Sequence, residues 1–305
     1  TRITNCLRAI RNAWHFCYAL CLVFKVVCSG LVLRCSHLNR ALYEQGGQLK
    51  DLQQQISSMK YFKRVEQDSE LVSRYQSDEY FVIRMDGIGL SKKYLSNVTR
   101  DKKFEGLMWE SLEETFKVLH RKCPHDSQNF ILAASICSDE VSIVLSKVPT
   151  YYDNRVIKLL TTFSSTFTSF FTGKGITRAK KKSQPICGAF DGRALILKNQ
   201  SEVVEYLATR YAVNVRNSYT KLLRLDGVRS EEIYSEENYN NIKYIQAKID
   251  ERGLTDKASG MYLIPKFFVS NKRALQNYSF SSVDEMKSSI TTSIVEHESW
   301  LEQFV

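Results

Sequence analysis

The stretch FVIRMDGIGLSKKY, Phe81 to Tyr94, ends an apolar run on an acid, Asp86, and follows it with two glycines, a serine and two lysines. A second acid, Asp139, sits in CSDE, between the apolar runs FILAASI (130–136) and VSIVLS (141–146). Two carboxylates at neighbouring strand ends are able to share divalent ions. Magnesium takes one or two carboxylates and completes its shell with phosphate oxygens and water. A pair of such ions activates an attacking hydroxyl and neutralises a leaving pyrophosphate. Gly87 and Gly89 let backbone amides and carbonyls come close to a triphosphate. Arg155 and Lys158, one helical turn apart, offer positive charge beyond that of the metal ions. Lys180, Lys181 and Lys182 form a basic loop suited to an RNA backbone.

Each feature also has a plainer reading. Asp-Gly is a hairpin-turn signal, and it occurs three times, at 86–87, 191–192 and 226–227. SDE alone makes a surface reversal or a helix start, and the basic residues alone make solvated faces. The combination is more selective than its parts, because both acids terminate apolar strands separated by one helix. His120, His125 and His297 form no base-and-nucleophile arrangement, and Cys123, Cys137 and Cys187 have no metal-ligand spacing.

The elements that must position the acids follow from periodicity. YFVIRM (80–85) reads as a strand. Phe104, Leu107, Met108, Leu112, Phe116 and Leu119 recur at helical spacing between Asp101 and Arg121. The two apolar runs around CSDE form a hairpin. A helix is expected from Asp153 to Phe171, with Val156, Ile157, Leu160, Phe163, Phe167 and Phe170 on one face. TGKGITRAKKKSQP (172–185) reads as a basic loop, and ICGAFDGRALILK (186–198) as a strand or hairpin. Glu202 to Arg224 is a long helix whose polar face carries Arg210, Asn214, Arg216 and Asn217. Further helix is expected near 230–250 and 283–303. This order is the β-α-β-β-α-β arrangement. It predicts an α/β (α+β) ferredoxin-like palm, an antiparallel sheet with helices packed on one face, plus a mostly helical C-terminal part.

The 305 residues are 43% hydrophobic and 25% charged, ordinary values for a globular protein rather than a disordered or fibrous one. The net charge of +10 suits a polyanionic partner. It divides evenly, +5 in residues 1–58 and +5 in the remainder, so nucleic-acid contact must rest on local patches. Five of the eight cysteines lie in the first 35 residues. Ala13 to Leu33 is 21 residues long and mostly apolar, and three arginines precede it. A membrane or signal segment, a buried helix, and a segment outside the functional protein all compete as readings. The favoured division sets 1–58 outside the core fold, a nucleotidyltransferase palm at 59–225 and a C-terminal helical extension at 226–305. Cytoplasmic placement is expected, with anchoring through 13–33 as the minority reading.

IRMDGIGLSKKY resembles the R-[LI]-D-G-R-G-F-x-[KR] opening of the tRNA-His guanylyltransferases and their 3′-to-5′ polymerase relatives. CSDEVSIVL is similar to their S-D-E-[YI]-S-F-[VL] hairpin, NRVIKLLTTFSSTFTSFF to their basic helix, and FDGRALILKNQSEVVEYLATR to their F-D-G-R segment. The resemblance covers about 82–225 well. It implies addition of a nucleotide, guanosine first, to the 5′ end of tRNA, with ATP and GTP as substrates and two magnesium ions. It also implies a homo-oligomer, a tetramer by family resemblance. On matching positions Asp86 and Asp139 become metal ligands with the Gly87 carbonyl, and Glu140 supports them. Asp86, Gly87, Ile88, Gly89, Leu90, Ser91, Ser138 and Asp139 line the nucleotide, while Arg155 and Lys158 hold triphosphate. Arg210 and Asn217 fall in a tract that places RNA in the family, alongside the lysine run 180–182. This tract departs from the family: YAVNVRNSYTK has Asn214 nearest the place of a histidine. A template-dependent relative that repairs 5′ ends therefore stands beside tRNA-His guanylylation. A catalytically silent RNA-binding module and a nucleotide cyclase-type palm enzyme are the alternatives.

Overall fold

The computed structural model describes residues 45–76, 78–99, 102–122, 131–145, 151–180, 184–257, 262–265, 278–279 and 282–291. The apolar segment 13–33, Lys181, Lys182 and the distal part of the 283–303 helix lie outside the described residues. Among the described residues no helix is long and apolar enough to cross a membrane.

The elements that frame the site are α1 (Gln45–Ser57), α2 (Met59–Glu70), β1 (Tyr80–Gly87), the one-turn helix α3 (Leu90–Lys93) and α4 (Lys102–Lys122). They continue with β2 (Ile131–Cys137), β3 (Glu140–Leu145), α5 (Val156–Thr177), β4 (Phe190–Leu197), α6 (Gln200–Leu225) and α7 (Ile242–Glu251). Two short strands, β5 (Tyr262–Pro265) and β6 (Tyr278–Ser279), complete the sheet.

The sheet order is β4-β1-β3-β2-β5-β6, and every pairing is antiparallel. Its first four strands are the expected palm, with β1 central between β3 and β4. The C-terminal part is not wholly helical, since β5 adds to the free edge of β2 with Ile264 opposite Ala134. So short a strand is stabilised by edge pairing, and its local pattern is too brief to announce it.

Alternation along β1 sends its residues to two different cores. Phe81, Ile83 and Met85 join α4 and α5 on one face, where Phe104, Met108, Phe163, Phe167 and Phe171 are buried. Tyr80 and Val82 join α6 and α7 on the other, with Tyr206, Tyr211, Ile245 and Ile249. The two crossover helices thus share one face, as the β-α-β-β-α-β order requires. The opposite face is covered as well, so the sheet is enclosed rather than helix-backed on one side only. Residues 45–57, expected outside the fold, belong to that second layer: Leu52 and Ile56 of α1 are buried in its core.

The α5 stripe is set by Val156, Leu159, Phe163, Phe167 and Phe171 at i, i+3, i+4 spacing. Ile157 faces solvent instead, at 67% exposure. The helix runs on through Gly173 and Gly175 to Thr177, into the segment expected as a loop. At Gly175 the returning chain passes so close that an added Cβ would meet the Ile186 carbonyl oxygen at 1.6 Å. Phe190, which starts β4, is clasped edge-on by Phe167 and Phe171 at centroid distances of 4.9 and 5.0 Å. α6 begins with Asn199 accepting from the Glu202 N–H at 2.9 Å, while the Glu202 carboxylate accepts from Lys198 N–H at 2.8 Å. That reciprocal cap satisfies amide donors that the first turn leaves unpaired.

Candidate active site

The register of β1 opposite β3 places Asp86 directly across from Glu140, and the register with β4 places it across from Asp191. Between β2 and β3 the chain reverses through Ser138 and Asp139 alone. Ser138 adopts φ 58°, a left-handed conformation uncommon for a residue with a Cβ. Gly87 N–H donates to the Asp139 carbonyl at 3.0 Å, and Ile88 N–H to the Ala189 carbonyl at 2.9 Å. The ends of β1 and β4 and the β2–β3 turn are therefore tied together. Asp86 and Asp139 meet there as the strand pattern anticipated.

Ser91, on the first turn of α3, fixes the Asp139 side chain. Its N–H donates to Oδ2 at 2.9 Å and its hydroxyl donates to the same carboxylate. Gly89 (φ 67°) turns the chain into α3. A Cβ on Gly87 would strike Leu90 Cδ1 at 2.7 Å. Leu90, within the stretch expected to line the nucleotide, has its side chain buried in the α4–α5 core, where apolar packing stabilises it. Ile88 is 61% exposed at the mouth of the same turn. Tyr94 braces the neighbouring loop: its hydroxyl accepts from Cys187 N–H at 3.1 Å and lies 3.0 Å from the Cys187 carbonyl.

The two acids differ in electrostatic support. Burial pushes the Asp139 carboxyl up, but Lys221 and the hydrogen bonds from Ser91 and Ser138 prevail and the net direction is down. Lys221 reaches in from α6, donating to the Ser138 hydroxyl and standing 3.4 Å from Asp139 Oδ1. Asp86 has the opposite fate. Burial first, then the charges of Glu140 and Asp139, push its carboxyl up to about 6. A half-buried oxygen ligand short of positive charge is a suitable donor for a hard divalent cation. Among the described residues no group of three or more His, Cys, Asp or Glu is arranged to hold a metal ion by itself. Magnesium that borrows phosphate oxygens from its substrate needs no such cage.

Other expected site residues have partners within the protein. Arg210 grips both oxygens of Glu140, with Nε at 2.8 Å, and Arg84 Nε stands 3.6 Å away. Arg84 continues the chain of charges to Glu66 of α2 at 3.1 Å. The Arg210 side chain is only 13% exposed and is paired with Glu140. Asn217, half-buried, accepts from Arg216, whose guanidinium also donates to Tyr239 and Asn240 and lies 4.1 Å from the Tyr239 ring centroid.

Arg155 and Lys158 are exposed at the start of α5. Val156 N–H donates to the Ser73 carbonyl at 3.0 Å, and Lys158 rests over the Tyr152 ring, 5.0 Å from its centroid. Half a turn further on, Leu160 packs against Gly192, which lies opposite Met85. Lys180 is exposed beyond the end of α5. A cavity of about 260 Å³, lined by Ser58, Tyr61, Phe62, Ser201, Glu202 and Glu205, lies between α2 and α6 and includes neither acid.

Lys221 was missed by sequence reasoning, although a signal exists. Arg210, Asn214, Asn217 and Lys221 stand at i, i+4, i+7 and i+11, which is one stripe of an α-helix. A polar stripe on the buried side of α6 is a sign that the sheet below it carries charge.

An antiparallel palm with two carboxylates at the β1 end and the β2–β3 turn is the type of protein that this fold and site define. Residues 59–198 match the family model described as tRNAHis guanylyltransferase. A curated relative, tRNA(His) guanylyltransferase of Neurospora crassa, is 28% identical over 170 residues, 53% of this chain and 53% of the relative. The chain thus spans about half the length of the curated relative it matches. A solved bacterial tRNA(His) guanylyltransferase-like protein, described as a complex with ATP, superposes with a TM-score of 0.54 at 18% identity. That match covers 77% of this chain and 98% of the other, a likeness of fold.

Proposed function

We propose that the protein is a magnesium-dependent nucleotidyltransferase that adds a nucleotide, guanosine first, to the 5′ end of tRNA in the 3′-to-5′ direction. The observation that carries this reading is the meeting of Asp86 and Asp139, from two separate parts of the chain, at one end of the palm sheet. It falls within the residues that match the guanylyltransferase family model. A 5′-monophosphate first takes the adenylyl group of ATP with release of pyrophosphate, and the 3′-hydroxyl of GTP then attacks the activated 5′ phosphorus and expels AMP. Asp86, Asp139 and the Gly87 carbonyl are the groups that would hold magnesium, supplying Lewis-acid activation of the hydroxyl and neutralisation of phosphate charge.

The chain's own residues prepare that chemistry. Ser91 and Ser138 keep the Asp139 carboxylate ionised and fixed in direction. The turn from Gly87 to Gly89 carries the nucleotide edge, with Ile88 as an exposed apolar contact. Lys92 and Lys93, exposed at the same end of the sheet, supply triphosphate charge alongside Arg155 and Lys158. Lys180 is left for the RNA backbone. Because Asn214 stands nearest the place of the family's histidine, a template-directed 5′-end repair activity stands beside recognition of histidine tRNA.

The test is incubation of the full chain with labelled 5′-monophosphate tRNA, ATP, GTP and magnesium, beside Asp139→Ala. Extension of the tRNA at its 5′ end by the unaltered protein alone supports the reading. Tight RNA binding by both proteins with no extension of any RNA would replace it with a silent RNA-binding module. Turnover of nucleotide without RNA would point to a cyclase-type palm.

A further inference from the structure

We infer that Lys221 is a resident cation, a positioning residue that holds Asp139 in place of a divalent ion until metal and nucleotide arrive together. The inference rests on the reading of Asp86 and Asp139 as a metal pair and deepens it. Lys221 stands 3.4 Å from Asp139 Oδ1 and donates to the Ser138 hydroxyl. The two side chains are 12% and 9% exposed, so water screens the pair weakly. The ammonium arrives from near the C-terminal end of α6, a 26-residue helix whose buried face is anchored earlier along its length by Arg210 on Glu140 and by Tyr206 on Ser142. Its backbone is thus fixed against the sheet, and only its flexible stem can move.

The consequence is an asymmetric site. Asp139 already has an ammonium against it, whereas Asp86 has no ion-pair partner among the described residues and only the longer-range field of Arg84. A divalent ion is free to take Asp86 but must win Asp139 from Lys221. Displaced on its four-carbon stem, the ammonium remains beside any phosphate that enters, so the positive charge is retained rather than lost. Bare metal would therefore bind weakly, and metal delivered with a triphosphate would bind well. This limits premature occupation of the site by free cations.

Manganese(II) serves as the probe, its binding to the nucleotide-free full chain read by electron paramagnetic resonance. Lys221→Met is expected to bind manganese about tenfold more tightly than the unaltered protein, because a unit charge beside the ligand has been removed. Lys221→Arg keeps the charge and is expected to restore weak binding. Adding GTP should narrow the gap, since the triphosphate pays part of the exchange. Unchanged or weaker manganese binding by a folded Lys221→Met protein, judged by circular dichroism, would overturn the inference. Lys221→Gln carries the same expectation should the methionine variant fail to fold. Asp86→Ala and Asp139→Ala separate the two levels: if neither weakens manganese binding, the metal pair itself is refuted; if both do and Lys221→Met changes nothing, only the role of Lys221 falls.

Discussion

Replacing Asp86 by asparagine is expected to stabilise the protein at neutral pH while removing its proposed activity. The carboxyl is held up to about 6, against 3.8 for an unperturbed aspartate, first by burial and then by Glu140 and Asp139. A raised acid keeps its proton longer in the folded state than in the unfolded one. Folding is then unpenalised below about pH 4, stability falls as pH rises from about 4 to about 6, and the full cost persists above that window. At ~1.4 kcal/mol per pH unit the gap corresponds to about 3 kcal/mol, and partial exposure of Asp86 reduces this to about 2–3 kcal/mol. Urea unfolding of the full chain in EDTA, at pH 4 and pH 7.5, measures the difference. Asp86→Asn should match the unaltered protein at pH 4 and exceed it by about 2–3 kcal/mol at pH 7.5. Added magnesium should close the gap by stabilising only the protein that keeps the carboxylate. A variant less stable at pH 7.5, or a difference independent of pH, would refute the electrostatic account of the site.

Two further outcomes follow from the structure. Arg210→Met leaves Glu140 buried with only Arg84 near it and should cost about 3–5 kcal/mol, whereas combining it with Glu140→Gln should recover most of the loss; urea midpoints of the single and double variants decide this. A chain beginning at Met59 loses Leu52 and Ile56 from the second core, at roughly 1.5–3 kcal/mol per buried aliphatic side chain, so its thermal midpoint should fall; an unchanged midpoint would mean that α1 contributes nothing to the fold.

The elements that carry the acids were legible because their signals are local. YFVIRM and the two runs flanking CSDE are β-branched, apolar and bounded by turn residues, and the six apolar residues of α4 repeat at helical spacing. Burial confirms each of those six residues. The limits of legibility are equally physical. The α5 stripe was misread at Ile157, because a helix so rich in apolar residues defines no single face. The stop at Phe171 was misplaced because Gly173 and Gly175 suggest a loop, and only the passing chain at Ile186 shows why glycine sits inside the helix.

The sequence by itself determined the order of strands and helices, the acids at two strand ends, and the glycines that let the chain turn beside them. These depend on side-chain periodicity and backbone freedom within about ten residues. Only the tertiary structure decided which charges meet. Glu140 is a neighbour of Asp86 by register, and α6 brings Arg210 onto it from 70 residues away. Arg155 and Lys158 share the first turn of α5 in sequence, and the Tyr152 ring under Lys158 is a partner that only the fold supplies. The polar stripe along α6 marks Lys221 without naming its partner, which is Asp139, 82 residues away in the chain. Charge interactions act through space, and their partners are set by how helices dock on the sheet.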